Sequence, residues 1–116
     1  MDKDRPIEEV CALLKSLLKD DTNQIIFCTG RVEDYREKTI EQIKKILKGS
    51  KNIDIDSCLY MRPQGDFRKD FMVKRDLYKR MIFDGFNPVI VFEDKITVVE
   101  MWKEMGLKCL RVTGAQ

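Results

Sequence analysis

Histidine is absent from this sequence of 116 residues. A Ser-His or Cys-His catalytic arrangement is therefore excluded within the chain itself, and so are most zinc sites. Long apolar runs are absent too, because the longest stretch without a charged residue, 22–30, is far shorter than a membrane span. No charged-then-apolar signal segment opens the sequence. We expect a soluble, cytoplasmic protein without a membrane partner, whose chemistry uses carboxylates, lysines, arginines or hydroxyls.

The four cysteines do not have the spacing of a metal or redox site. Cys11, Cys28, Cys58 and Cys109 are widely separated, form no CxxC pair and each lie in an apolar stretch. We interpret them as reduced core residues. Lys and Arg number 22 against 20 Asp and Glu, so net charge does not indicate a nucleic-acid partner and only local clustering can.

The apolar pattern predicts four helices and four short strands in a single domain over residues 1–116. No internal repeat, linker or low-complexity tract divides the chain. The predicted helices cover residues 6–18, 34–48, 68–83 and 97–106, and the predicted strands cover residues 24–28, 57–61, 89–92 and 108–112. Helices that alternate with short apolar strands predict an α/β fold with a doubly wound parallel sheet.

Ligands of such sheets bind outside the carboxyl ends of the strands. The first of these places is the segment Thr29-Gly30-Arg31, which we predict to be a loop. It offers a hydroxyl, a flexible backbone and a guanidinium, a combination suited to phosphate oxygens. The alternative is a turn with a capping Thr and a surface Arg.

A basic loop follows the next predicted strand. Arg62, Arg68 and Lys69 flank a Gln-Gly-Asp turn, and such cations can follow a phosphodiester backbone. The alternative is that Asp66 and Asp70 simply pair with these cations.

Two adjacent acids, Glu93 and Asp94, follow the third predicted strand. One such carboxylate, together with waters, can hold Mg²⁺, although the pair could instead cap the following helix. Lys74 lies one to two turns into the helix after the basic loop, where its ammonium either reaches the same crevice or is merely solvated.

Three stretches carry a resemblance to a known family: IIFCTGR, RPQGDFRKDFMVK and IVFEDKITVVEMWKEMGLKCLRV. In this order they resemble the haloacid-dehalogenase superfamily and, within it, the 3′-phosphatase domain of bacteriophage-type polynucleotide kinase-phosphatases, over essentially the whole chain. The resemblance implies a three-layer doubly wound parallel sheet, a Mg²⁺ cofactor and nucleic-acid 3′ ends as the partner.

The resemblance also implies roles for single residues. Thr29 matches the phosphate-binding hydroxyl, and Lys74 matches the lysine that neutralises the phosphoryl group. Arg31, Arg62 and Arg68 match substrate-binding arginines. Glu93 and Asp94 match the acids that help to hold Mg²⁺, and Asp94 also counts as a catalytic residue together with Thr29 and Lys74.

The chain departs from the family pattern in two ways. The family has Asp-Asp where this chain has Glu93-Asp94, and it begins with an apolar strand that ends in Asp-x-Asp-Gly-Thr. In the family, the first Asp of that segment attacks phosphorus and the second acts as general acid and base. Asp2-Lys3-Asp4 and Asp54-Ile55-Asp56 have the spacing, but the first lacks a preceding strand and the second precedes its strand.

By resemblance, the missing strand is the central one, between the strands that end at Cys28 and Phe92, so we expect an N-terminally incomplete domain. The two neighbours could pair directly, a second copy could lend a strand, or a complementing segment could lie upstream. Three functions stay open: a Mg²⁺-dependent 3′-phosphatase that is inactive without its nucleophile segment, a pseudo-phosphatase that binds phosphorylated nucleic-acid ends, and a decayed product without function.

Overall fold

The computed structural model describes residues 8–50 and 52–112. Within these ranges the chain forms four α-helices and four strands, as predicted, with short 3₁₀ turns at Glu33–Tyr35 and Ile55–Cys58. The helices are α1 (Glu8–Leu18), α2 (Arg36–Ile46), α3 (Asp70–Phe83) and α4 (Ile96–Glu104). The strands are β1 (Phe27–Val32), β2 (Leu59–Arg62), β3 (Ile90–Glu93) and β4 (Lys108–Arg111). The start predicted for the first helix lies outside the described residues.

Strand β1 extends further than the sequence predicts. A loop is predicted at residues 29–31, but Thr29, Gly30 and Arg31 lie within the strand, so this prediction is wrong. The parallel partner β2 continues the ladder, with Thr29 opposite Met61, and the register then shifts before Val32 reaches Arg62. Gly30 and Arg31 therefore lie in an irregular stretch of the ladder, between the residues of β1 that pair with Met61 and Arg62.

The four strands form two separate parallel pairs among the described residues. One sheet contains β1 and β2, and the other contains β3 and β4, with Ile90 opposite Lys108 and Glu93 opposite Arg111. Strands β1 and β3 do not pair with each other. Of the alternatives for the gap between these two strands, direct pairing is therefore wrong.

The helices cover the strands with apolar side chains at helical spacing. In α3, Val73, Leu77 and Met81 are buried, which confirms the predicted i, i+4 pattern. The described residues form two larger clusters as well. The first contains Leu18, Ile43, Leu47, Ile55, Leu59 and Met61, and the other contains Val98, Val99, Met101, Trp102 and Cys109. All four cysteines are free, two of them buried and two half-buried.

A cleft of about 520 Å³ lies between β1 and β3. Its lining comes mainly from one face of α1, from residues 23–28 before and within β1, and from residues 86–93 before and within β3. Most of these side chains are apolar, including Leu14, Ile26 and Val91. The cleft therefore separates the two strand pairs at the edges where neither pair has a hydrogen-bonded neighbour among the described strands.

None of the helices in the described part of the chain is both long enough and apolar enough to cross a membrane.

Candidate functional site

The carboxyl end of β1 is held very close to the start of α3. A Cβ atom added at Gly30 would lie 2.8 Å from Oδ1 of Asp70, closer than side chains tolerate. Any larger residue at position 30 would therefore require the Asp70 carboxylate to shift. The neighbouring Thr29 hydroxyl accepts a hydrogen bond from the backbone N–H of Arg31 at 3.1 Å. Since a hydroxyl can also donate, the Thr29 proton remains able to reach an anion.

Arg62, at the end of β2, connects several parts of this region by hydrogen bonds. Its Nε donates to the carbonyl of Gly30 at 2.7 Å, and its Nη1 donates to the carbonyls of Asp66 at 2.9 Å and Arg68 at 2.6 Å. Its Nη2 donates to Oδ1 of Asp70 at 2.5 Å. With only 11% of its side chain exposed, Arg62 fixes the protein's own loop and has little capacity left for a substrate.

Asp70 joins the two halves of the molecule. It accepts from Arg62 of β2 and also from Lys95, whose Nζ lies 2.7 Å from Oδ2 and which follows β3 in sequence. The hydrogen bond from Lys95 is the main reason that the pKa of Asp70 is lowered, with Arg62 contributing further. Sequence reasoning missed Lys95, although its position directly after the acidic pair at a strand exit was a usable signal.

Lys74 is buried rather than solvated. Its ammonium lies 3.1 Å and 3.3 Å from the two carboxylate oxygens of Glu93, and 11% and 7% of the two side chains are exposed. The indole N–H of Trp102 donates to the same carboxylate at 3.2 Å. The backbone N–H of Lys95 lies 3.4 Å from it. Glu93 is thus saturated by protein donors, as a buried carboxylate must be.

Cys28 lies in the wall of the cleft, close to the ion pair of Lys74 and Glu93. Cys28 and Glu93 both line the cleft, and the charge of Lys74 acts on the Cys28 thiol. Burial dominates, however, and raises the pKa of Cys28 to about 12. The thiol therefore stays protonated at neutral pH and is not a nucleophile.

The other two predicted substrate-binding arginines, Arg31 and Arg68, lie at the edges of the region. Nη1 of Arg31 donates to Gln42 at 2.6 Å and to Thr39 at 3.3 Å, both on α2. The guanidinium of Arg68 is 43% exposed and pairs with Asp66 and Asp76, each at 2.8 Å. The expectation that acids of the loop pair with its cations is confirmed for Arg62 and Arg68.

The acidic pair splits into a buried and an exposed carboxylate. Glu93 points at Lys74 and Trp102, whereas Asp94 is exposed beside the end of β3, and its carbonyl accepts from Arg111. Across residues 8–50 and 52–112, no three side chains of the types His, Cys, Asp and Glu gather into a metal site. Glu93 is already engaged by Lys74 and Trp102, so of the two predicted ligands Asp94 is the carboxylate that fits Mg²⁺, together with ligands from elsewhere.

The structure brings together Thr29, Arg62, Lys74 and Glu93 near the ends of three strands, and it adds Asp70 and Lys95 to them. Three cations meet two carboxylates here: Arg62 and Lys95 face Asp70, and Lys74 faces Glu93. An anion with several oxygens, such as a phosphate, can compete with a carboxylate for such donors because both accept charge-assisted hydrogen bonds. The arrangement is thus suited to phosphate chemistry.

Comparison with known proteins identifies the family of this chain. A family model described as the polynucleotide kinase PNKP phosphatase domain matches residues 1–116. The chain is also 33% identical over 84 residues to a protein of Autographa californica nuclear polyhedrosis virus described as a bifunctional polynucleotide kinase/RNA ligase. That match covers 72% of this chain and 11% of the much longer relative. The chain therefore belongs to the polynucleotide kinase phosphatase domain family.

Proposed function

We propose that this chain is the phosphate-handling part of a phosphatase that removes 3′-phosphates from nucleic-acid ends. The observation that carries the proposal is the buried Lys74 ammonium, which is paired with the cleft-lining Glu93, with Thr29, Arg62 and Lys95 at the neighbouring strand exits. Family membership supports nucleic-acid end processing as the setting. The preference for 3′ ends rests on the resemblance to the phosphatase domains.

In this proposal each residue has a distinct task. The Thr29 hydroxyl donates to a phosphate oxygen, and the Lys74 ammonium neutralises the phosphoryl charge while Glu93 holds it in place. Arg68 contacts the nucleic-acid backbone from the exposed loop, and Arg31 does so from the edge of β1. Arg62 acts through the loop, because its own donors are engaged with protein acceptors.

The attacking carboxylate comes from outside the described residues. We infer that an extended segment enters the cleft between β1 and β3 and pairs with both strands, so that the two pairs become one parallel sheet. The cleft supports this idea because it is mostly apolar, lies along residues 24–28 and 89–93, and includes Glu93, the partner of Lys74, in its lining. A carboxylate placed there attacks phosphorus, the 3′-oxygen of the nucleic acid leaves with a proton from a second carboxylate, and water then releases the phosphate.

Mg²⁺ belongs to the completed site. Asp94 is the exposed carboxylate that would hold it, together with carboxylates of the entering segment, and the ion would neutralise charge on the phosphate oxygens. The role of Glu93 as a direct ligand stays a prediction, and it requires Lys74 to shift towards the substrate.

The test is phosphate release from a 3′-phosphorylated oligonucleotide in Mg²⁺ or EDTA. The chain is assayed alone and with a synthetic peptide that carries an apolar strand followed by Asp-x-Asp-Gly-Thr. We expect little or no release by the chain alone, because loss of a covalent nucleophile removes the pathway, and Mg²⁺-dependent release with the peptide. Release should vanish when the first Asp of the peptide becomes Asn and should fall steeply in Asp94→Asn.

Lys74→Met tests the central residue, and Lys79→Met is its matched control because Lys79 is exposed on the same helix. Only the first variant should lose activity. Release by the chain alone that survives Asp94→Asn would contradict the proposal.

A second function, a module that binds phosphorylated ends without hydrolysis, is favoured by the exposed guanidinium of Arg68 and the ammonium of Lys95 beside the strand exits. It predicts salt-sensitive binding of 3′-phosphorylated oligonucleotides that weakens in Arg68→Ala. Binding without release, even with the peptide present, would select this function over the phosphatase.

A further inference from the structure

The loop between β2 and α3 presents an aromatic ring to solvent. Phe67 is 94% exposed, the largest exposure among the large apolar side chains of the described residues. Burying a Phe side chain is worth about 1.5–3 kcal/mol. A ring kept out of the core in this way is available for contact with another molecule.

Phe67 sits on a loop that is fixed by hydrogen bonds on both sides of it. Arg62 donates to the carbonyls of Asp66 and Arg68, the residues directly before and after the ring. Arg68 in turn donates to Asp66 from its backbone N–H at 3.1 Å and from Nε at 3.0 Å. The ring is therefore held outward by a prearranged backbone, which reduces the entropy lost when it binds a partner.

The ring is flanked by cationic side chains, of which Arg68 and Lys95 are paired with carboxylates. Arg68 follows Phe67 directly and is 43% exposed, the next residue is the exposed Lys69, and Lys95 lies across the strand exits, 2.7 Å from Asp70. An aromatic face beside cations is the arrangement with which proteins bind single-stranded nucleic acid, because the ring stacks on a base while the cations contact the backbone.

We propose that Phe67 is a stacking platform for a nucleobase close to the phosphate-bearing end of the nucleic acid. The proposal rests on the proposed function for the identity of the ligand, and it adds a base contact to a site that otherwise touches only phosphates. The contact is independent of sequence, since every base has a face on which the ring can stack.

The chain offers a matched control for this proposal. Phe83 is 88% exposed, but it ends α3, and a helix of 14 residues places it about 20 Å from the loop. Phe67→Ala and Phe83→Ala therefore remove the same side chain from two exposed sites, of which only one lies at the strand exits. Because neither ring is in the core, both variants should fold, which circular dichroism and thermal unfolding verify.

The experiment measures binding of a short fluorescent single-stranded oligonucleotide with a 3′-phosphate by anisotropy at low salt. Stacking on an aromatic side chain is worth about 1–3 kcal/mol per base, so Phe67→Ala should weaken binding about 5- to 100-fold. Phe67→Trp should keep the affinity, and Phe83→Ala should leave it unchanged. An oligonucleotide with abasic sites at its last positions should bind the native chain and Phe67→Ala equally weakly.

Unchanged affinity in Phe67→Ala, equal losses on the normal and the abasic oligonucleotide, or no binding by the native chain would each overturn the proposal. The phosphatase assay distinguishes this failure from failure of the proposed function. If peptide-complemented release requires Lys74 but has the same KM in Phe67→Ala, the phosphatase stands and the stacking platform does not. If stacking is found without any release, the platform stands and the phosphatase does not.

Discussion

The two strand pairs of this molecule are built differently. In the first pair, three of the four residues of β2 are buried, and the adjoining cluster consists of aliphatic side chains and Met61. In the second pair, Cys109 is the one buried residue of β4, while Ile90 and Leu110 are 53% and 55% exposed. Parallel strands are normally covered on both faces. The second pair therefore has one face that is covered by α4 and another face that is largely exposed.

The interiors of the two pairs also differ in polarity. The second pair contains the buried carboxylate of Glu93, which is held by Lys74 and Trp102, whereas the first pair is stabilised by apolar packing. A buried charge and an open face occur together beside the cleft. The comparison indicates that stability resides mainly in the first pair and that chemistry resides at the edge of the second.

The largest expected effect is the loss of stability in Lys74→Ala. Removing one partner of a buried ion pair leaves the carboxylate of Glu93 uncompensated and costs about 3–5 kcal/mol. Urea denaturation measures the change, and Lys79→Ala on the exposed side of the same helix should stay within about 0.5 kcal/mol of the native chain. The double variant Lys74→Met with Glu93→Gln should recover much of the loss. If the free energy of unfolding of Lys74→Ala is close to that of the native chain, the ion pair of Lys74 and Glu93 does not stabilise the second pair of strands.

Truncating one leucine in each pair compares their packing directly. Leu59 in β2 is 4% exposed and Leu110 in β4 is 55% exposed. Leu59→Ala should lower the free energy of unfolding by about 2–5 kcal/mol, because it leaves a cavity in the first cluster. Leu110→Ala should change it by less than about 0.5 kcal/mol. Equal losses in the two variants would break the comparison.

An intermediate effect is expected where the first pair meets α3. The Cβ of Gly30→Ala would press on Asp70, whose carboxylate is held by Arg62 and Lys95, and such overpacking costs about 1–3 kcal/mol. Because Asp70→Ala removes the obstacle, the double variant should lose less than the sum of the two single losses in thermal unfolding. Strict additivity would mean that Gly30 and Asp70 do not contact each other.

The smallest effect is the pH dependence contributed by Asp70, the residue that links Arg62 of the first pair to Lys95 after the second. Since the pKa of Asp70 is lowered in the folded chain, chiefly by Lys95, its contribution is present above the unfolded pKa of about 4 and is lost as the pH falls below it. The stability difference between the native chain and Asp70→Asn should therefore be larger at pH 7 than at pH 3. A difference that is the same at both pH values would exclude this linkage.

Much of the fold follows from local patterns. Spacings such as Val73, Leu77 and Met81 identify a helix because residues four apart share one face, and the short apolar run that precedes Glu93 identifies a strand. The end of β1 was not predictable from Gly30, because glycine is typical of a turn, and here it serves instead to let Asp70 approach. Pairing with β2, which is distant in the sequence, determines where β1 ends.

The candidate site was predicted in part. Element order identified the strand exits at Arg62 and Glu93, and Lys74 was singled out by its match to the family's lysine. The partners of these residues were not, because a guanidinium can pair with any of several nearby acceptors, and the choice between substrate and protein depends on the folded loop. Arg62 is committed to backbone carbonyls and Asp70, and Glu93 to Lys74 and Trp102.

The sequence by itself determined the order of helices and strands, the absence of imidazole chemistry and the types of side chain at each strand exit. These properties depend on residue type and on short periodicities. The tertiary structure alone decided that the strands form two pairs with a cleft between them, that Lys74 and Glu93 are buried together, and that Phe67 is held outward. Each of these depends on contacts between residues far apart in the chain, which arise only when the whole core packs.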